Sequence, residues 1–415
     1  MKISVNKLKM YSQTILDCSL CIGAYFLWID ALSFITVSYL ILVSAISFCL
    51  NYKNCNLLKL DRIQFIWVAY ALSVFINVFS SSDITKSLSF AKLLIAMIVV
   101  VLFFSKADGS PKISGKLVVI LAICLSLSVI WEFIDYESFR NVAMNLFSID
   151  LYIEISSLKG SFNRYVGFGV YSGPSACLII YGICAALAYM KKNLLFYIVV
   201  GIDLIAILLT GSRTLLLLIA IVWICYQLYL RSVAEKKITG SKVLLYFVAI
   251  VAIGFAVYNF VLKNSSSLRL LDGSASNKSV NTRFALYGYA ILLFTKNPIF
   301  GTGINTFLNF STLNSSLENT YTHNLILQSL AEQGIIGGLL LISAIVMTFV
   351  YILRMWRNGL RTNSMKFSIL VQIVFMIYSM VGNPFYDINL RLVYFVAVMI
   401  GLRECSRAAY ISEEV

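Results

Sequence analysis

Apolar residues run through this chain in long, nearly unbroken blocks separated by short polar joints. The blocks fall at 13–29, 31–50, 63–80, 87–105, 117–134, 168–190, 194–210, 215–230, 243–262, 334–353, 367–382 and 391–402. A helix needs about 20 apolar residues to cross the hydrocarbon of a bilayer. The blocks lack the strict alternation of a membrane strand. The pattern therefore predicts an all-α, polytopic integral membrane protein of about twelve transmembrane helices. A single transmembrane domain over residues 1–415 is expected, with no soluble domain appended. A short turn and no small-residue cleavage site follow the first block, which reads as a retained helix and not a signal peptide.

Composition agrees with the pattern: 60% of residues are hydrophobic and 13% charged, and the mean hydropathy is +0.87. A soluble domain with one core has no use for so much apolar surface. Net charge is +14, which on a soluble face would point to nucleic acid. Here the basic residues are dispersed over alternate joints. They comprise Lys2, Lys7 and Lys9; Lys53, Lys59 and Arg62; Lys106, Lys112 and Lys116; Lys191 and Lys192; Arg231, Lys236, Lys237 and Lys242; Arg354, Arg357, Arg361 and Lys366; and Arg403 and Arg407. These are 21 of the 33 Lys and Arg. The positive-inside rule assigns that side to the cytoplasm, with both termini there, and no nucleic-acid partner is expected. None of the nine cysteines falls in an expected outer loop, which argues against a disulfide framework.

With that orientation two outer segments are long, 135–167 and 263–333. The second opens with "KNSSSLRLLDGSASNKSVNTR", expected to be an exposed loop. Phe284, Leu286, Tyr287, Ala290, Ile291 and Phe294 then give helical spacing over roughly three turns, too short to cross a bilayer. This predicts a short interfacial helix ended by Asn297 and Pro298. The following "GTG" has neither the preceding strand nor the spacing of a nucleotide loop.

Candidate chemistry gathers on the same side. His323 is the chain's one histidine. It follows Thr322, an expected helix N-cap, and precedes the apolar run from Leu325. A helix N-terminus disfavours an imidazolium and leaves a neutral ring able to accept a proton. From position alone, a general base and an interfacial histidine tolerant of both water and lipid both fit. Arg213, in a very short hairpin, fits an anion clamp or a snorkelling anchor. Arg164, Arg283 and Arg391 share its side, where basic residues are disfavoured, so a converging set calls for an anionic partner. Guanidinium forks match phosphate oxygens in pairs. A base and phosphate clamps beside an apolar surface suit an isoprenoid pyrophosphate.

Within the expected spans, Asp17 and Lys92 lie near span ends and within reach of the interface, whereas Asp203 needs a partner or a proton. The outer acids Asp135, Glu137, Asp150 and Glu154 lack DxD spacing and give a metal site no support.

These features resemble the O-antigen ligase and polymerase superfamily of bacterial membrane glycosyltransferases. His323, Asn324, Gly334 and Gly337 fit the ligase signature of His, then Asn, Ser or Gln, nine residues, Gly, two residues, and Gly, Thr or Tyr. Arg164, Gly167 and Pro174, "SRTLLL" at Arg213, the segment from Arg283 to "GTGINTF", and "GNPFYDI" from Gly382 look like family motifs in the family's order. The similarity spans roughly residues 160–390; before it only hydropathy and topology match.

The resemblance implies a metal-independent C-type glycosyltransferase that needs no cofactor and acts among membrane lipids. Its donor would be a glycan on undecaprenyl pyrophosphate. His323 would deprotonate the acceptor hydroxyl while Arg213 and Arg283, with Arg164 second to them, hold the pyrophosphate; Asn324, Gly334, Gly337 and Arg391 would support the site. The acceptor would be another lipid-linked repeat unit for a polymerase, the expectation here, or lipid A-core for a ligase. A chain-length regulator would be a further partner. A flippase or other transporter is the competing class; it should show pseudo-symmetry and mid-membrane polar residues, which this one-sided pattern lacks. A structural scaffold would leave the arginines unexplained.

Overall fold

A computed structural model describes residues 5–27, 29, 36–51, 61–107, 109–147, 164–169, 171–234, 273–311 and 321–413. Every helix and strand assignment within them is helical. The helices are α1 (Val5–Phe26), α2 (Val37–Asn51), α3 (Arg62–Phe79), α4 (Ile84–Phe104), α5 (Pro111–Ile134), α6 (Tyr136–Leu146), α7 (Ser172–Tyr189), α8 (Leu194–Leu209), α9 (Arg213–Ala234), α10 (Gly273–Lys296), α11 (Phe307–Ser311), α12 (Leu325–Arg357), α13 (Asn363–Tyr378) and α14 (Ile388–Glu413).

Eleven of the twelve expected spans fall on these helices; the block 243–262 lies outside the described residues. By length and composition α3, α4, α5, α7 and α12 can cross a membrane, while α2, α8, α13 and the stretch Thr214–Gln227 of α9 are apolar but shorter. Polar caps punctuate the run: Asp83, Asn193 and Thr362 accept the backbone N–H of Lys86, Phe196 and Met365, and Pro111 opens α5. Each side-chain cap satisfies a backbone donor that the helix leaves unpaired.

Nearly every side chain of α7 is buried, and α5, α8 and α13 pack around it. In lipid, close packing replaces the hydrophobic effect as the glue between helices, and small residues permit it. Gly182 serves this way, since a Cβ there would lie 2.0 Å from Ala122 Cβ.

Three expectations change. The interfacial helix is α10, 24 residues long, and it absorbs much of the Ser/Asn-rich stretch expected as loop. No glycine or proline separates Gly273 from Phe284, so nothing stops the apolar half from extending backwards. Asp17 does not reach an interface. It is fully buried and paired with Arg403, whose Nη1 donates to Oδ2 at 2.6 Å and whose Nη2 donates to Oδ1 at 3.1 Å. Arg403 is therefore a buried tie between α1 and α14. Lys92 lies exposed, eight residues into α4. Asp203 has its partner in the Ser126 hydroxyl, at 2.7 Å.

Candidate active site

His323 stands just before α12, in a backbone conformation that residues with a Cβ avoid (φ 56°). The N-cap of α12 is Asn324, which accepts Leu327 N–H at 3.1 Å; Thr322 caps nothing. Its Oγ1 instead accepts Asn324 N–H at 3.1 Å and braces the turn. The cap lies two residues later than expected because this bond already closes the turn around His323. Asn324 also donates to Met380 O at 3.3 Å, and Leu325 N–H to Ser379 O at 2.8 Å. The histidine turn is thus stapled to the turn after α13.

Burial first, and the charge of Arg283 second, push the half-buried imidazole down to about 4. The sequence suggested a neutral ring through the helix dipole; this surrounding favours the same neutral form. Arg283, on α10, is half-buried. Its charge and that of Arg164 both reach the phenol of Tyr378, the last residue of α13. Tyr378 also packs on Gly173 and Gly382, where a Cβ would approach its ring or hydroxyl to 2.7 Å. One tyrosine therefore touches the "YSGPS" and "GNPFYDI" segments and lies within reach of the charges of two expected clamps.

Arg164 Nη1 donates to Ser172 Oγ at 2.8 Å. Ser212 Oγ donates to Ser172 O at 3.5 Å, and Tyr165 N–H to Leu209 O at 3.3 Å. These bonds bring Arg164 beside the start of α9, where Arg213 is the first residue; the Arg213 side chain lies outside the described residues. His323, Arg283 and Arg164 are gathered around one end of the bundle.

Arg391 does not join this group. It is buried rather than presented at an open face. Its guanidinium lies over the Phe90 ring at 4.6 Å and donates to Phe385 O at 3.1 Å. It props up the "GNPFYDI" turn from below, because helix α14 carries it inward from the end of the bundle.

Gly334 interrupts α12 (φ 64°, ψ −167°). Ile335 N–H is there taken by Pro298 O at 2.8 Å, and a Cβ on Gly334 would meet Ile299 O at 2.2 Å. The signature glycine is where the loop after α10 crosses the helix. Gly337, three residues on, lies against Gln333.

Two buried carboxylates escaped the sequence reading. Glu332 accepts Asn305 N–H at 2.7 Å, Phe307 N–H at 2.9 Å, Gln328 Nε2 at 3.2 Å and Tyr386 OH at 2.6 Å, and so holds the "GTGINTF" loop. Glu132 accepts Val166 N–H at 2.6 Å and Gly167 N–H at 2.8 Å, and holds the loop that carries Arg164. An acid inside or at the edge of an apolar block was the available signal. A separate cavity of about 290 Å³, lined by Ser80, Ser82, Tyr289, Lys296, Asn297 and Thr302 among others, contains none of the expected site residues.

A search of curated proteins gave no match to the chain. Residues 196–342, which include Arg213, Arg283, His323 and Gly334, match the family model described as O-antigen ligase, and this match supports the likeness to the O-antigen ligase and polymerase superfamily.

Proposed function

We propose that this protein transfers a glycan from undecaprenyl pyrophosphate to a sugar hydroxyl on the outer face of the bacterial inner membrane, as the polymerase of polysaccharide repeat units. The observation that carries the proposal is the placing of His323, in a left-handed turn outside the helix that follows it and stapled to the turn after α13, within reach of the charge of Arg283. The acceptor oxygen attacks the anomeric carbon and its proton passes to the imidazole. The bond from that carbon to the pyrophosphate breaks, and the leaving anion is met by Arg283, Arg213 and Arg164. A base held down to about 4 is a weak one in the free enzyme. Pyrophosphate bound beside Arg283 would offset the second of the two causes, the cation, and so raise the basicity of the ring, while burial, the first cause, stays in place.

Residues 135–167 and 263–333 lie outside in this proposal and both termini lie in the cytoplasm. Single cysteines at positions 275 and 238 should label from outside and only after permeabilisation, respectively. The reverse pattern would move the chemistry to the cytoplasmic face.

His323→Ala should abolish transfer, by about a hundredfold or more, without loss of folding. In a Gram-negative host with the rest of the pathway intact, the variant should leave lipid A-core carrying a single repeat. Bare core with long lipid-linked chains would instead identify a ligase. That second reading is favoured by the description of the matched family and by the spacing of His323, Asn324, Gly334 and Gly337.

A further inference from the structure

We infer that Glu332 is a positioning residue for His323 and acts by fixing which way the Gln328 side-chain amide points. Glu332 is fully buried, and all four of its hydrogen-bond partners donate to it: two backbone N–H groups, the Tyr386 hydroxyl and Gln328 Nε2. The Glu332 oxygen that faces Gln328 also takes the Phe307 backbone N–H, a group that can only donate, so this oxygen is an acceptor. Facing it, the Gln328 amide must turn its NH₂ inward, which turns its oxygen the other way.

That oxygen receives Thr322 N–H at 3.2 Å and Asn383 Nδ2 at 2.5 Å, with Thr322 Oγ1 at 3.2 Å. Thr322 is joined to His323, and Asn383 sits in the turn that the histidine segment is stapled to. Were the amide reversed, its NH₂ would oppose the donors of Thr322 and Asn383. A buried donor left unmatched is costly. The left-handed backbone of His323 persists only where its surroundings over-determine it. Glu332 supplies that constraint from the far end of the first segment of α12, nine residues along the chain.

The inference rests on the role proposed for His323, but it can be read without activity. His323 is the one histidine of the chain, so an isotope-labelled full-length protein in nanodiscs gives one set of imidazole signals. Glu332→Gln, which lets either end of the amide face Gln328, should displace those signals and raise the titration midpoint toward the ordinary value near ~6.5. It should lower kcat by about a hundredfold, the scale of a misplacement of about 1 Å, with little change in donor KM. The exchange Gln328→Glu with Glu332→Gln restores a group that only accepts opposite Thr322 and Asn383. It should bring the signals back toward their original positions and recover part of kcat.

A merely structural Glu332 would not respond to that exchange. Unmoved imidazole signals in Glu332→Gln, or an exchange variant no closer to the parent than the single variant, would overturn the inference. If Glu332→Gln does not fold, Gln328→Leu cuts the link while keeping the other three bonds of Glu332. It should displace the imidazole signals equally, and unchanged signals there would also overturn it. Activity retained by His323→Ala would refute the proposed base while leaving the imidazole measurement to judge the positioning.

Discussion

Val166 donates its backbone N–H to the Glu132 carboxylate at 2.6 Å, and Gly167 donates to the same oxygen at 2.8 Å. A single oxygen thus anchors the loop that delivers Arg164. Glu132→Leu would strand two buried donors, at about 1–3 kcal/mol each. Transfer should fall with it. Glu132→Gln keeps an oxygen in place and should be much milder. Comparison of the two variants by turnover per folded molecule checks this, and equal damage would mean that charge matters and not acceptance.

Arg283 is expected to hold phosphate oxygens in pairs. Arg283→Lys keeps the charge but loses the fork. The loss of one charge-assisted bond, about 1.5–3 kcal/mol, corresponds to roughly a tenfold to hundredfold fall in kcat/KM. Steady-state kinetics with a lipid-linked donor measures it, and an unchanged value would reduce Arg283 to an electrostatic neighbour of His323.

The pH dependence should differ between two kinetic parameters. His323 acts as a base only when neutral, and in the free enzyme it stays neutral down to about 4. The acid limb of kcat/KM, which reports the free enzyme, should therefore lie below about pH 5. The limb of kcat, which reports the donor complex, should lie higher because the bound pyrophosphate offsets Arg283. Coincident limbs near ~6.5 would show an imidazole free of its surroundings.

Gly334→Ala should be more damaging than Gly337→Ala. The backbone at Gly334 lies in a region nearly reserved for glycine, worth roughly 1–3 kcal/mol, and the new methyl would also overlap Ile299 O. Gly337 has no such backbone demand. Folded yield in detergent, followed by activity, separates the two.

The buried pair of Asp17 and Arg403 should behave as a structural tie far from the chemistry. Asp17→Asn or Arg403→Met alone leaves an unmatched group and should cost about 3–5 kcal/mol. Removal of both should cost less than the two single losses added together. Thermal unfolding in detergent provides the test; additive losses would mean that the pair does not act as one.

The sequence by itself determined the class of this protein. Blocks of apolar residues dictate helices in lipid because a buried backbone must satisfy its own polar groups, and eleven of twelve expected spans coincide with helices. It also singled out His323 and Gly334, one as the lone imidazole and the other through the spacing that follows it. Tertiary structure alone decided what the charged residues do. Arg283 and Arg391 look alike in sequence, yet the charge of one bears on the histidine and the other is packed on Phe90. Asp17 finds Arg403 across 386 residues, and Glu332 finds Tyr386 across 54. Hydrophobic periodicity reports which side of a helix is buried, a local property. The partner of a buried polar group is supplied by whichever distant element packs against that side, and no local pattern records it.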